Sequence, residues 1–404
     1  MTAPAFLPNW PPAANAFLIF GLLLLAGLAG GRLASMTRVL PAITGYIVTG
    51  FLLGPGVLGW LSEPMLEQSR VLAEFSLGLI VFDLGRRLDL QWARHDRWLL
   101  PMGIAESVLS FAAMFALLHF IGGIDTLEAA VASTVGVATA PAVVLLVTNE
   151  LKAEGPVTRR MLWHVALNNV LATVGITLLL PFIEARAAGA SWNPAARALW
   201  LMAGSFLLGF IAFHLMTLFA RWLGKSPVPQ FVLAVGMVIA TVGAAQAARL
   251  SVLLALLVLG ACARNLDRDH RLIDVDFGRA AQVFFVVLFV LTGATLRVDQ
   301  FGAIAWIGLA FVIARSLGKM LALYTLAWPA HISARQASTL GLALTPIAGL
   351  AIGMTQPIYD VAPEFGARLA AIVVSGVAIL HVLGPVATRY ALVRAGEGEP
   401  GARD

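Results

Sequence analysis

Two adjacent asparagines, Asn168 and Asn169, interrupt an otherwise apolar stretch that reads RRMLWHVALNNVLATVGITLLLPF. Side-chain amides carry donors and acceptors that hydrocarbon cannot satisfy, so amides in such a stretch need a polar partner or a function. An amide oxygen can bind a cation, but an amide does not titrate. The pair is therefore suited to hold a cation, and any proton bound nearby must be carried by another side chain.

Few ionisable side chains lie in or near the middle of the apolar segments; they are Asp83, Glu106, His164, Arg315, Lys319 and His381. A carboxylate removed from water can hold either a proton or a cation, because desolvation penalises its charged form. Glu106 lies about a turn and a half into its segment, at a depth similar to that of Asn168 and Lys319. An ionisable residue at membrane depth is by default a candidate functional residue.

Several of these candidates also have a structural interpretation. Asp83 is followed at i+3 and i+4 by Arg86 and Arg87, with which it can form ion pairs at the end of a helix. Glu106 can serve only to neutralise a nearby base. His164 lies one turn before the asparagines and can shuttle protons, although a lone histidine near a helix end is more often an interfacial hydrogen bonder. His381 has no further support as a site residue.

Arg315 and Lys319 are four residues apart and therefore lie on one face of a helix. Two cations on one buried face need counter-charges. For Lys319 these are Asp83, Glu106 or the carbonyl groups of interrupted helices, unless the lysine itself titrates. The structural alternative for both residues is a cation that braces helix C-termini.

The composition defines the environment of these side chains. Of 404 residues, 59% are hydrophobic and 12% are charged, and the mean hydropathy is +0.87, which indicates a polytopic membrane protein. The net charge of +5 comes without a dense basic run, so a nucleic-acid partner is not indicated. The single cysteine, Cys262, excludes an internal disulfide and a multi-cysteine metal site. We expect no resident metal ion, no cofactor and no enzymatic activity.

Apolar segments of near-spanning length predict an all-α protein with about thirteen transmembrane helices. With the N-terminus outside, most of the 27 lysines and arginines fall in inner loops, which predicts a multi-pass protein of the cell membrane with a cytoplasmic C-terminus. No segment is long and polar enough for an appended soluble domain, so 1–404 is predicted to be one transmembrane domain. The segments are 15–31, 39–60, 68–85, 99–121, 128–148, 161–183, 197–219, 229–247, 250–263, 280–296, 301–326, 337–356 and 367–392.

The fifth and twelfth segments, which contain GVATAPAVVLL and GLALTPIAGLAIG, each have a proline near mid-membrane. Pro141 and Pro346 are about half a chain length apart, and their helices cross the membrane in opposite directions. Proline removes a backbone donor, and the carbonyl groups that it frees at membrane depth are tolerated where they line a cavity or bind something. Paired interrupted helices in an inverted repeat are typical of secondary transporters. Thr139, just before Pro141, is a candidate cation ligand or a packing threonine bonded to its own helix.

Several motifs resemble the monovalent cation:proton antiporter superfamily, the sodium/proton and potassium/proton exchangers. The resemblance runs from about residue 15 to 394, and its most specific part extends from GY to GPGVLG. The motifs are PAITGYIVTGFLLGPGVLGWL (41–61), LAEFSLGLIVFDLGRRLDL (72–90), ATAPAVVLL (138–146), FFVVLFVLTGATLRVD (284–299), ARSLGK (314–319) and LGPVATRYAL (383–392).

This resemblance implies a mobile core, about 99–183 and 301–392, in which two broken helices cross, with the remaining helices as a scaffold for homodimerisation. It also implies alternating access by an elevator-like movement. In relatives the sixth helix carries an aspartate, often in an Asp-Asp or Asn-Asp pair, which binds cation and proton in competition; here the matching residues are Asn168 and Asn169. Asp83 occupies the acidic place of an FEGGL-like motif, and Lys319 best matches a basic residue of the eleventh helix.

Two functions follow. The first is antiport of Na⁺ or K⁺ against protons with a rearranged site: Thr139, Asn168 and Asn169 supply cation oxygens, and Asp83 or Glu106 titrates. The second is a scaffold that has lost cation exchange and either transports another solute or acts as a non-transporting membrane sensor.

Overall fold

A computed structural model describes residues 16–37, 40, 42–189, 193–267, 272, 278–294, 301–347, 351, 354, 355, 358 and 361–398. This described part of the chain is helical and contains no strand, which confirms the predicted all-α class.

Most helices lie within a few residues of the predicted segments. The helix in segment 39–60 ends at Leu53, the helix that begins segment 337–356 ends at Ala343, and the short helix Leu90–His95 was not predicted. In the first part of the chain the helices are α1 (Ala16–Met36), α2 (Ala42–Leu53), α3 (Glu63–Arg86), α4 (Leu90–His95), α5 (Leu99–Ala116), which continues as a π-helical turn (Leu117–Ile121), α6 (Thr126–Val137) and α7 (Pro141–Glu150). In the remainder they are α8 (Pro156–Ala188), α9 (Pro194–Leu223), α10 (Pro227–Ala247), α11 (Val252–Asn265), α12 (Gly278–Ala294), α13 (Phe301–Ala327), α14 (Ala334–Ala343) and α15 (Pro363–Ala395).

Seven helical stretches within the described residues are long and apolar enough to cross a membrane, and shorter apolar helices accompany them. The chain is therefore a multi-pass membrane protein. The seven stretches are Phe17–Met36, Leu99–Ile121, Thr126–Glu150, Pro156–Ala187, Pro194–Leu223, Pro227–Ala247 and Trp306–Ala327.

Helices α5 and α13 approach each other closely because Gly318 of α13 has no side chain. A Cβ atom built on Gly318 would lie 2.6 Å from the Cα atom of Ser110 in α5, a distance that real structures do not tolerate. The hydroxyl of Ser110 donates to the carbonyl oxygen of Arg315 at 3.3 Å. This contact places the polar face of α13, which carries Arg315 and Lys319, directly against α5.

The N-terminus of α8, the helix that carries the asparagine pair, is capped by Glu397, which follows α15. One carboxylate oxygen accepts from the Val157 amide at 2.8 Å, and the other accepts from the amide and hydroxyl of Thr158 at 2.7 and 2.8 Å. A carboxylate in this place satisfies free amide donors and complements the helix dipole. The cap thereby fixes the start of α8 relative to the end of α15.

We expect Glu397→Ala to lower the free energy of unfolding by about 1–2 kcal/mol, because it removes an N-terminal cap of a long helix. The measurement is the thermal midpoint of the purified protein in detergent. Glu154→Ala is the matched control, since the Glu154 side chain is exposed beside the same cap. Equal midpoints for Glu397→Ala and the wild type would contradict the capping role.

Candidate functional site

A three-residue interruption separates α6, which ends at Val137, from α7, which begins at Pro141. Proline disfavours a helical conformation in the residue before it, and Ala138 and Ala140 are extended, with ψ angles of 142° and 102°. The Ala140 amide, which has no helical acceptor, donates to the carbonyl oxygen of Pro346 at 2.9 Å. The two prolines singled out in the sequence therefore belong to one local structure.

The second proline follows the end of a helix. α14 starts with a capping box between Ser333 and Gln336 and ends at Ala343, and Thr345–Ile347 are not helical. Residues 348–350 lie outside the described part of the chain. Gly384 of α15 packs so closely against this segment that a Cβ atom there would lie 2.9 Å from the Cα atom of Pro346.

Arg315 joins the two interruptions. Its guanidinium is fully buried and donates to the carbonyl oxygens of Gly136 at 2.7 Å, Ala138 at 2.8 Å and Thr345 at 2.8 Å. These carbonyl groups lie where α6 and α14 end, so they have lost helical partners. The geometry matches the interpretation of Arg315 as a cation that braces helix C-termini.

Glu106 and Lys319 form an ion pair with 2.8 Å between Oε2 and Nζ, and both side chains are almost completely buried. The other carboxylate oxygen of Glu106 accepts from Nδ2 of Asn168 at 2.5 Å. Nζ of Lys319 also lies 3.4 Å from the hydroxyl oxygen of Thr139. A carboxylate, an ammonium and an amide from three helices thus meet a hydroxyl from the interruption between α6 and α7, and we call this group the ion-pair cluster.

The asparagine pair completes this cluster in two different ways. Asn168 donates to the Thr139 hydroxyl at 3.1 Å and accepts from the Ser107 hydroxyl at 2.9 Å, so its oxygen is occupied. Asn169 donates through Nδ2 to the carbonyl oxygens of Thr139 at 2.6 Å and Val165 at 2.7 Å. Its Oδ1 is buried and has no hydrogen-bond partner among the described residues. The two carbonyl acceptors fix the orientation of this amide and leave Oδ1 as a free ligand.

Thr139 lies at the centre of these contacts. Its hydroxyl is within hydrogen-bonding distance of Asn168, Lys319 and, at 3.4 Å, Arg315. These partners belong to other helices, so Thr139 is more than a packing threonine bonded to its own helix. It connects the interruption between α6 and α7 to the ion pair.

The structure does not bring Asp83 to this cluster. Its carboxylate pairs at 3.1 Å with Arg87, the residue that follows α3, and no contact with Glu106 or Lys319 is present within the described residues. This is the structural alternative that the i+4 spacing predicted. The side chain of His381 lies outside the described part of the chain.

Two features of the site were missed or undervalued in the sequence. Ser107 binds Asn168, although serines are common in membrane helices and carry no distinctive signal. His164 is fully buried, with Nδ1 3.9 Å from Glu106 Oε1, so the expectation of an interfacial hydrogen bonder is wrong. The spacing of four residues between His164 and Asn168 was the available signal.

A set of apolar membrane helices that encloses an ion pair beside interrupted helices is the architecture of a secondary transporter. The model of the transmembrane sodium/hydrogen exchanger family matches residues 20–389, and the chain belongs to that family. This confirms the resemblance to the cation:proton antiporter superfamily, and family membership supports cation:proton antiport.

Solved structures show the same fold. The sodium proton antiporter MjNhaP1 from Methanocaldococcus jannaschii at pH 8 is 16% identical, with a TM-score of 0.70 over 94% of this chain and 95% of that chain. A second structure of MjNhaP1, determined by electron microscopy, is also 16% identical, with a TM-score of 0.71 over 96% of this chain and 99% of that chain. No curated protein sequence matches this chain.

Proposed function

We propose that this protein exchanges a monovalent cation, Na⁺ or K⁺, for protons by alternating access, and that Glu106 is the carboxylate for which cation and proton compete. The observation that carries the proposal is the buried pair of Glu106 and Lys319 at 2.8 Å, which Asn168 and Thr139 contact directly. A buried ion pair is weak evidence for stability, because desolvation offsets the Coulombic attraction. Its position beside interrupted helices favours a transport role.

The charges of the site suggest how cation and proton are coupled. Arg315 and Lys319 contribute two positive charges against one carboxylate, Glu106, so an added cation meets a site with a surplus of positive charge. Coulomb repulsion at such short range is strong where water is excluded. A cation can bind favourably at Glu106 when Lys319 leaves the carboxylate and Glu106 carries no proton. Binding of the cation and protonation of Glu106 then exclude each other, which couples the two movements.

The neutral ligands of the bound cation are hydroxyl and amide oxygens of the residues that form or adjoin the ion-pair cluster. The Thr139 hydroxyl and Oδ1 of Asn169 are suited to this role, and Oδ1 of Asn168 can join them if Ser107 turns away. Alkali cations are bound by hydroxyl, amide, carbonyl and carboxylate oxygens, whereas nitrogen and sulfur ligands are not required. Glu106 supplies the one negative charge.

The proposed architecture that moves this site has thirteen membrane spans. Two of them are broken helices, α6–α7 and the α14 region, which cross at Pro141 and Pro346. The hydrogen bond from Ala140 to Pro346 supports the crossing. The core comprises about 99–183 and 301–392, and the other helices form a scaffold and the interface of a homodimer. The protein lies in the cell membrane with its N-terminus outside and its C-terminus in the cytoplasm.

Purified protein reconstituted into liposomes with an internal pH-sensitive dye tests this function. We expect an imposed Na⁺ or K⁺ gradient to drive proton movement in the opposite direction, with protein-free liposomes as the control. Absence of a response to both cations across the accessible pH range would refute the proposal.

The second candidate, a scaffold that has lost cation exchange, rests on the amides at positions 168 and 169. Asn169→Asp separates the two candidates. An ionised aspartate at this position would face the carbonyl oxygens of Thr139 and Val165, an arrangement that favours a bound cation over an empty site. We expect Asn169→Asp to bind cations more tightly and to accelerate exchange.

The measurement for Asn169→Asp is the half-saturating cation concentration in the same liposome assay, with Asn169→Ala as the matched control that lacks any ligand oxygen. Exchange by Asn169→Asp together with an inactive wild type would favour the second candidate, because the scaffold would then be competent and the native site would not. Inactivity of both proteins would exclude cation exchange on this scaffold.

A further inference from the structure

His164 is a buried titratable side chain that the exchange described above does not use. Its exposure is 0%, and neither ring nitrogen has a hydrogen-bond partner within the described residues. A buried polar group without a partner is costly, and most buried polar side chains have one. The position of His164 therefore calls for a functional explanation.

The imidazole lies next to the carboxylate at the centre of the site. Nδ1 of His164 is 3.9 Å from Oε1 of Glu106, the oxygen that also accepts from Asn168. This distance is too long for a hydrogen bond, but a small ring rotation shortens it to the range of about 2.6–3.2 Å in which a proton can transfer. Oε1 has a second lone pair available for that proton.

Three polar residues follow one stripe of α8 from its start towards the site. Arg160, His164 and Asn168 are spaced by four residues and so lie on the same helix face. Arg160 forms an ion pair with Asp96 at 2.8 Å, and the two side chains retain 17% and 19% exposure. The stripe therefore begins at a group that solvent reaches and ends at Glu106.

The surroundings of the stripe are apolar on its other flank. Leu99, Trp163 and Leu167 form a buried hydrophobic cluster beside His164. The ionisable neighbours of His164 are Glu106 from α5, with Lys319 from α13 behind it, and the pair of Arg160 and Asp96 one turn away. Within the described part of the chain, no other ionisable side chain pairs with His164. The stripe is therefore a polar route by which protons can reach Glu106 from the start of α8.

We propose that His164 relays protons between the α8 start, the cytoplasmic end in the proposed topology, and Glu106. When a proton moves from His164 to the site, the Nδ1–H bond of the imidazolium breaks as an O–H bond forms at Oε1 of Glu106. The neutral ring keeps its Nε2–H, and it takes the next proton at the vacated Nδ1 when the ring turns towards the solvent-accessible end of the stripe. Histidine suits this task because its two nitrogens exchange protons near neutral pH. The relay rests on the proposed exchange, since Glu106 is its acceptor.

His164→Gln tests the relay, with the wild type and Glu106→Gln measured in parallel. Glutamine keeps polar atoms at this position but does not titrate. We expect the exchange rate to fall by about tenfold or more, as when a positioned acid–base group is removed, and its dependence on pH between about 5 and 8 to flatten. His214→Gln is the matched control, since His214 is an exposed histidine of α9 that bonds its own helix.

Two further measurements separate a relay from a structural role. For His164→Ala, added imidazole is expected to restore the rate, which it cannot do for Glu106→Gln. In protein labelled with ¹⁵N-histidine, the His164 resonance is identified as the one that Glu106→Gln shifts. In the wild type this resonance is expected to titrate within the pH range of transport. That titration does not depend on the folding of any His164 variant.

The outcomes distinguish the relay from the exchange itself. The relay alone would be overturned if His164→Gln kept the wild-type rate and pH profile while the wild type was active and Glu106→Gln was inactive. A His164 resonance that does not titrate in the transport range would overturn it too. An inactive wild type would instead overturn the proposed exchange.

Discussion

Glu106→Gln is expected to abolish cation-driven proton movement while the other oxygens of the site stay in place. Glutamine has nearly the same shape and can still accept from Asn168, but it neither binds a proton near neutral pH nor balances the charge of Lys319. A site with two buried cations and no carboxylate repels a third cation. We expect the exchange rate in liposomes to fall by on the order of 100-fold or more, which is the range seen when a proton-transfer group is lost.

Loss of stability has to be separated from loss of transport in this variant. Removing one partner of a buried ion pair costs about 3–5 kcal/mol, whereas replacing both partners with neutral residues is often close to neutral. The double variant Glu106→Gln/Lys319→Met is therefore expected to regain a thermal midpoint near that of the wild type and to remain inactive. Recovery of both stability and exchange in the double variant would contradict the role of Glu106.

Asp83→Asn is the comparison that decides between the two carboxylates that the sequence offered. It makes the same chemical change in a side chain that pairs with Arg87 and lies outside the ion-pair cluster. We expect this variant to retain exchange within about twofold of the wild type, since the pair is partly exposed, contributes little to stability and does not contact the cluster. If Glu106→Gln exchanged ions at the wild-type rate and Asp83→Asn were inactive, Asp83 and not Glu106 would be the titrating carboxylate.

The sequence was sufficient to predict most helices, because the length of each apolar run and the glycine and proline residues at its ends determine where a membrane helix begins and ends. Each interruption was signalled by a proline among small residues, and the pair at positions 168 and 169 was conspicuous because amides are rare in hydrocarbon. Periodicity also placed Arg315 and Lys319 on one helix face. These inferences need only neighbouring residues along the chain.

The same reasoning could name candidate partners across helices but could not choose among them. Which basic side chain pairs with Glu106 depends on the rotation and depth of α5 against α13. These are set by contacts such as that of Gly318 with Ser110. The partners of Arg315 are backbone carbonyl groups, which every residue has and which no sequence pattern marks. His164 was undervalued for the same reason, since its distance from Glu106 is a product of helix packing.

Arg315 is expected to be the residue on which the two interruptions depend most. Arg315→Met leaves the carbonyl oxygens of Gly136, Ala138 and Thr345 buried without the guanidinium that now satisfies them. Each unsatisfied buried acceptor costs about 1–3 kcal/mol, and relaxation recovers part of the sum, so we expect a loss of about 3–5 kcal/mol. The measurement is the thermal midpoint in detergent, together with hydrogen exchange of the α6–α7 region.

Arg315→Lys separates charge from geometry at this position. Lysine keeps the positive charge but has no planar fork with donors fixed in several directions, so it can reach fewer of the three carbonyl groups. We expect a midpoint between those of the wild type and Arg315→Met, with faster hydrogen exchange confined to the interruptions. Arg197→Met is the matched control, because Arg197 pairs with Glu184 at 3.6 Å in a partly exposed position where ion pairs contribute little. A midpoint of Arg315→Lys equal to that of the wild type would show that positive charge alone holds the two interruptions, and that the fork geometry is dispensable.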